Sequence, residues 1–534
     1  MFFFPIFGYA EIHYRFKYFF SYLKTKEPEI LADAPYRIEP NQKIPVLFLL
    51  KDSDSYPITL TKISVEITLG ESKKVEVFYF NEKINSQFWW KVEDIEPLGI
   101  GKHFLNVTFH WENSQGKSQK ATNDNYKGLS NSPLETFVAE ENLPKFEDFY
   151  FGECHCHTNL TSDQVEYGAP IEASKLLSKP IGLDFYTTTD HSYDLDDKWE
   201  NYLETSPTLE KWKFLQNEVT RLNSQNDNFV VVRGEEATCE NSLGKNVHLL
   251  VYGNQKFFYG SGDSAEKWFQ TDSENSISQI LQNLESKSVA FAAHPGCEAP
   301  TLEKLLINRG EWNLDDFCTE GLNGVQILNG TLDHSFEVGK KRWIQSLLKG
   351  KKISIIAGND AHGNFNRFRQ VSFPFFKMTE HNEQIFGKVK TFLKIRDYFS
   401  EDSILEAFKL GKTGLSTGVI ADFEFLTENG NFTFGDTTTE TKGTISFTAK
   451  SSKEFGMITK ITMLSGNYTT QDEHAIKEIA PNSYFFADRF DLDFQEDYIR
   501  FEGETESGSI FMLTPLYREN CETIDEEVDF EGFS

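Results

Sequence analysis

The chain has 534 residues, 39% of them hydrophobic and 14% aromatic, which is enough apolar material for two to four packed domains. A formal net charge of -29 argues against a nucleic-acid backbone or an anionic membrane as the main partner. Small anionic substrates stay open, because bound cations reverse the local sign of a site.

In chain order, the aromatic start MFFFPIFGYAEIHYRFKYFFSYLK has no basic opening, and Glu11, His13, Arg15 and Lys17 interrupt its apolar run. It does not read as a signal peptide. No later run approaches the ~20 apolar residues that span a bilayer, so a soluble, cytoplasmic protein is expected. The N-x-S/T triplets, one of them at Asn159, are then chance occurrences. Residues 1–147 read as a β-rich, sandwich-like domain, with KIPVLFLL, KISVEITL, KVEVFYF and HFLNVTFHW as strands. The polar stretch Asn113–Ser132 reads as an exposed loop.

From residue 148 to about 418 the rhythm changes to strands followed by helices. YFGECHCHT, LDFYTTTDH, FVVVRGEEA, NVHLLVYG, SVAFAAHP, GVQILNG and KISIIAGNDAH read as strands. PIEASKLLSK and SISQILQNLES read as intervening helices, and SEDSILEAFKLGK as a closing helix capped by Ser400. Alternation of this kind predicts an α/β sheet or barrel with its polar residues at the carboxyl ends of the strands. Residues 419–534 return to β patterning as a second sandwich-like domain with an acidic tail.

The chemistry concentrates in the middle segment. Six of the twelve histidines fall in five short clusters: His155 and His157 in GECHCHT, His191 in TTTDH, His248 in NVHLLVYG, His294 in AAHPG and His362 in GNDAH. Glu153, Asp163, Asp190, Glu236 and Asp360 accompany them. Histidine with carboxylate is the ligand set of zinc, manganese and iron, and these ligands exceed one ion's needs. Alternate strand residues share a face, so His155 and His157 can converge on one ion, as can Asp360 and His362. Each cluster alone has a bland reading: a surface or core pair for H-x-H, a helix start for TDH. Their coincidence in about 210 residues points to a multinuclear metallohydrolase. Cys154 and Cys156 alternate with the histidines and read as small buried apolar residues. Six cysteines without a C-x-x-C pair do not amount to a disulfide framework.

The ordered set H-x-H, T-D-H, G-x-E, H, H-P and D-x-H resembles the polymerase-and-histidinol-phosphatase (PHP) family of metal-dependent phosphoesterases over residues 148 to about 415. The flanking segments EPEILADAPYRIEPNQKIPVLFLLKDSDSYPI, YIRFEG and LTPLY are similar, more loosely, to its CehA/McbA-type branch. The resemblance implies a distorted (β/α)7 barrel holding two to three divalent ions, zinc, manganese or iron. It would put His155, His157, Glu236 and Asp360 around a first ion. Glu236 would bridge to a second held by His248 and His294, and Asp163, His191 and His362 would hold a third. The G-x-E motif selects Glu236 over Glu235.

The chemistry expected on such a centre is hydrolysis by a metal-bridging hydroxide, most simply of a phosphoester in a small anionic metabolite or nucleotide. Ester, carbamate or amide hydrolysis on the same ions is the alternative, and a ligand-binding protein without turnover is a third reading. Asp360 or His362 would move the proton, with Asp190 orienting its neighbours. Arg367 and Asn366, just past the last motif, are candidate substrate contacts. Arg233 has the opposite strand parity to Glu236 and should turn away. No nucleic-acid or membrane partner is expected, and a homo-oligomer is compatible with the sequence.

Overall fold

The computed structural model describes residues 7–9, 25–161, 168–199, 201–262, 271–372 and 377–519. Most of its regular structure is strand rather than helix. The N-terminal region forms a sandwich. A sheet holding Ile58–Leu69, Ser72–Ile84, Gly101–Asn113 and Leu134–Val138 faces a three-stranded sheet of Glu29–Asp33, Ile44–Lys51 and Phe88–Ile95. Alternating residues such as Ile63, Val65 and Ile67 meet Phe48, Val107 and Phe109 in its core. The stretch expected as a loop contains a strand, Ser118–Thr122, paired with Gly101–Asn113. Its alternation is polar on both faces, which hides an edge strand from pattern reading.

Two sheets frame the middle of the chain. In one, Val230–Val232, Phe185–Thr188 and Phe149–His157 run parallel. The sheet then continues antiparallel through Lys390–Lys394, Thr413–Ser416 and Ile510–Leu513 into the C-terminal strands. Residue 418 therefore lies beside a continuous sheet. The other sheet holds Gly234–Glu240, Asn246–Tyr252, Val289–Ala292, Gly324–Asn329 and Ser354–Gly358. Its first three strands are antiparallel and its last three parallel.

The regular (β/α)7 alternation expected for this segment is not what forms. Only a tight turn separates Glu240 from Asn246, too short for the crossover that parallel strands require, so a hairpin forms. Two of the helices that follow are short, Ile277–Gln282 and Thr301–Leu306, and among the described residues only His334–Leu348 makes a full-length crossover, between Gly324–Asn329 and Ser354–Gly358. The two sheets meet at seams rather than as one closed ladder. At one, Ala361–His362 pairs with Cys156–His157; at the other, a single bridge joins His191 to Glu236.

Between the sheets Cys154, Phe185, Val232, Leu250, Tyr252, Phe291 and Ile356 form a shared core. Ile404, Leu405 and Phe408 of the helix Glu401–Lys409 close its base, and Ser400 caps that helix through a reciprocal bond with Ser403. Cys156 packs into a different core, because the strand pairing shifts register between Glu153 and Cys156. A four-stranded sheet, including Ile420–Leu426, Lys442–Lys450 and Phe485–Asp493, covers the far end of the large sheet. Phe423 and Phe447 there pack on Phe501. Among the described residues no helix is long and apolar enough to cross a membrane.

Candidate metal centre

The histidine clusters converge at one end of the two facing sheets. His155 and His157 end the strand Phe149–His157, and His191 and His294 follow Phe185–Thr188 and Val289–Ala292. Glu236 and His248 come from the hairpin, and Asp360 and His362 follow Ser354–Gly358. Asp360 and His294 hold left-handed backbones, φ 51° and 29°. Non-glycine residues adopt that region at a cost, commonly at functional sites.

Glu236 is the hub. Its Oε2 lies 3.3 Å from His155 Nε2, 3.4 Å from His157 Nε2 and 3.1 Å from His191 Nδ1. Its Oε1 lies 2.6 Å from His248 Nδ1 and 3.1 Å from His294 Nε2. Asp360 Oδ1 is 3.4 Å from His155 Nε2 and 3.2 Å from His157 Nε2. Three overlapping groups have ligand atoms within 4.8 Å of one another: His155, His157, Glu236 and Asp360; His191, Glu236 and His248; and His157, His191 and His362. The first is the quartet that the resemblance implies. Among the described residues, the second group joins His191 to Glu236 and His248, where the resemblance implies His294, and the third joins His157 to His191 and His362. The ring of His157 lies flat against that of His362, with centroids 4.1 Å apart. Asp163 lies outside the described residues.

The donor set fits divalent ions. His155 Nε2 and Glu236 Oε2 are fully buried without a hydrogen-bond partner, a costly arrangement that a cation between them would relieve. His155 Nδ1 donates to Gln326 Oε1 at 2.8 Å, which fixes the tautomer with Nε2 toward the carboxylates. Burial disfavours a protonated His155, but Glu236 and Asp360 outweigh it and push its pKa up to about 9. Burial also opposes charge on Glu236, yet His248, His155 and His191 hold it well below the usual carboxylate range. His157 is held below the ordinary imidazole value by burial and by His362 and His191.

Several residues serve the site from behind. Asp190, placed with the catalytic residues as the one that orients its neighbours, accepts four hydrogen bonds, from the amide and hydroxyl of Thr158 and of Thr161. Both oxygens are thereby occupied, and the residue orients the turn after His157. Glu153 accepts from the amides of His155, Asn359 and Gly387 and is a structural clamp. Glu235 faces the other side of its strand, toward Ser192, and burial pushes its carboxyl up to about 8. Arg233 turns away and pairs with Glu401 at 2.8 Å.

The proposed substrate contacts are placed differently from expectation. Asn366 accepts from the amide of Glu135 and donates to the carbonyls of Glu135 and Ala34. Its carboxamide is a joint to the N-terminal sandwich. Arg367 donates to the carbonyl of Pro133 and sits 3.6 Å from Glu380. Both line a cleft of about 500 Å³ with Lys102, Glu135, His381 and Lys388.

Sequence reading also missed four residues at the centre. Gln326 orients His155; Asn329 and Gln384 donate to Asp360 Oδ2 at 3.5 and 3.3 Å; Arg309 Nη1 donates to His248 Nε2 at 2.6 Å. Only Gln326 carried a signal, as a lone polar residue within the apolar strand GVQIL.

No protein-family model matches the chain, and no curated protein matches it. Solved structures it resembles include a glycosyl hydrolase family 2 member from Bacteroides cellulosilyticus, at 8% identity over 93% of this chain and 63% of that one, with a TM-score of 0.15. Another is Bacteroides uniformis beta-glucuronidase 2, at 8% identity over 94% of this chain and 62% of that one, with a TM-score of 0.17. The chain spans less than two thirds of either structure's length, and likeness at this level carries no argument about fold or activity.

Proposed function

We propose that the chain is a metal-dependent hydrolase of the PHP type, acting on a phosphoester of a small anionic molecule. The observation that carries this is the convergence of five histidines on Glu236 and Asp360, with His362 grouped beside His157 and His191, and with His155 Nε2 and Glu236 Oε2 buried and unbonded between them. On this reading the two facing sheets are a distorted barrel interrupted at two seams. The three overlapping groups would hold two to three divalent ions, zinc, manganese or iron.

Bound ions would acidify water and neutralise charge at the scissile group. The chain's own residues supply the geometry. Gln326 and Thr161 face the Nδ1 atoms of His155 and His157, so that both Nε2 atoms address Asp360 and Glu236. Asn329 and Gln384 hold the second oxygen of Asp360, leaving Oδ1 to the histidines. His362 Nδ1 donates to the Asp360 carbonyl at 3.1 Å, and this places its Nε2 for ligation or proton transfer.

The test is metal content by mass spectrometry, joined to turnover of p-nitrophenyl phosphate and p-nitrophenyl acetate, with Asp360→Ala as the control. Bound metal with Asp360-dependent release from the phosphate supports the proposal. Release mainly from the acetate moves the protein to the ester and carbamate hydrolases, the alternative that the CehA/McbA-like flanking segments open. A protein that takes up no metal ends both.

A further inference from the structure

The strand Ser72–Ile84 pairs along one side with Ile58–Leu69, and among the described residues no strand pairs with its other side. Its side chains alternate. Phe78 and Phe80 turn inward, onto Phe48 and Trp89, with ring centroids 5.8 and 5.4 Å apart. Val75, Val77 and Tyr79 turn outward and are 52%, 40% and 73% exposed. Opposite them on Ile58–Leu69 stand Glu66, Ser64 and Lys62, which leave them open to water. An edge strand with apolar residues on both faces is a template for another strand.

The ends of this edge are guarded and its middle is not. Lys73 and Lys74 precede the apolar run, paired with Glu66 and Glu76 at 2.7 Å each. Beyond it, Lys62 pairs with Tyr79 and Leu60 with Glu82, so Phe80 and Asn81 share one partner position in a bulge. Asn81 holds a left-handed φ of 51° there. Lysines and bulges are usual means of closing an edge. Between them residues 75–79 keep a regular register.

This run is complementary to itself in one antiparallel register. With Val77 on a two-fold axis, Val75 faces Tyr79 of the second copy and Tyr79 faces its Val75. Cross-strand pairs of an aromatic with a β-branched residue stabilise a sheet, and all three exposed side chains are then covered. On the other face Glu76 meets Phe78 of the second copy and stays beside its own Lys74, so no like charges oppose each other. Centring on Glu76 would oppose two glutamates, and centring on Phe78 would run the pairing into the bulge. We propose that a second copy of the chain pairs along residues 75–79, with one sheet running through both N-terminal sandwiches. The contact is isologous, so it closes as a dimer, and the lysines and the bulge keep the pairing from sliding.

Sedimentation velocity of the full chain over roughly 1–100 μM, in about 0.3 M salt, is the test. The salt screens repulsion between copies that each carry a net charge of -29. A strand contact this short lies at the small end of specific interfaces, so the expected dissociation constant is about 10 μM. Val77→Lys and Val77→Glu each bring like charges together on the axis, and each alone should stay monomeric with a melt like that of wild type. An equimolar mixture of the two should dimerise again, because opposite charges then meet. Tyr79→Ser loses two symmetric cross-strand pairs and should weaken the dimer about 10-fold. Wild type that stays monomeric overturns the inference. So does a Val77→Lys protein that dimerises as wild type does, a mixture that stays monomeric, or a Tyr79→Ser protein of unchanged affinity.

Discussion

Gln326 accepts the Nδ1 proton of His155 at 2.8 Å, from the interior of the strand Gly324–Asn329, between Val325 and Ile327. The same carboxamide accepts the His294 amide at 3.3 Å and donates to Asn329 at 3.0 Å. One side chain thus ties together three of the segments that build the centre. Gln326→Leu should weaken metal affinity about 10- to 100-fold, the usual effect of losing the group behind a ligating histidine. Competition against a coloured chelator reads this directly. Gln326→Glu keeps an acceptor for Nδ1 and should retain more affinity than the leucine variant. Equal affinity in all three proteins would mean that packing alone orients His155.

Asp190 supports the other side. Its four bonds to Thr158 and Thr161 shape the turn that follows His157. Asp190→Asn exchanges an acceptor oxygen for a donor amide that faces donors. The cost should be on the order of 3 kcal/mol in urea unfolding, since buried bonds to a charged acceptor are among the stronger ones. Turnover should fall in step with metal content, without a change in the shape of its pH profile. A shifted pH profile at full metal occupancy would make Asp190 a direct participant in catalysis.

The ligand-type residues of the centre were legible because each sits in a short motif on or just after a strand, although Glu236 and His248 lie inside the hairpin strands Gly234–Glu240 and Asn246–Tyr252 rather than at their ends. The architecture was legible only in outline. Alternation of strands and helices suggested a barrel, but the turn between Glu240 and Asn246 is decided by its length, which makes a hairpin. Residues that act through a fold contact left little trace. Arg309 meets His248 across 61 positions of sequence, and nothing local marks it. Asn366 looked like a substrate contact because it follows GNDAH. Its carboxamide instead completes the backbone bonding of Glu135, a partner 231 positions away.

Gly358 shows how tightly the seam beside the centre is packed. A Cβ there would lie 2.6 Å from His155 Cβ and 2.8 Å from its backbone nitrogen. Neither can yield without moving the H-x-H strand. Gly358→Ala should lose about 1–3 kcal/mol by overpacking and should bind less metal even where it remains folded. Thermal melting with and without manganese separates the two effects. Metal should raise the midpoint of wild type more than that of the variant, because stabilisation by a ligand follows its affinity for the folded state.

Lys390 gives a pH-dependent prediction away from the centre. Its ammonium nitrogen lies 3.3 Å from both Tyr36 Oη and the Lys388 carbonyl, and burial, with Arg37 nearby, pushes its pKa down to about 7. The unfolded chain has the ordinary lysine value of 10.5. Between these values the unfolded state binds more protons, so stability rises with pH across that interval. Below pH 7 the penalty is complete, on the order of a few kcal/mol. Lys390→Met removes it while keeping most of the side-chain volume. The variant should melt above wild type at pH 6, and the gap should narrow as pH climbs toward 10. Calorimetric melts at pH 6, 8 and 10 give the answer. A gap independent of pH would show that the methionine acts through packing and that Lys390 is not held neutral in the fold.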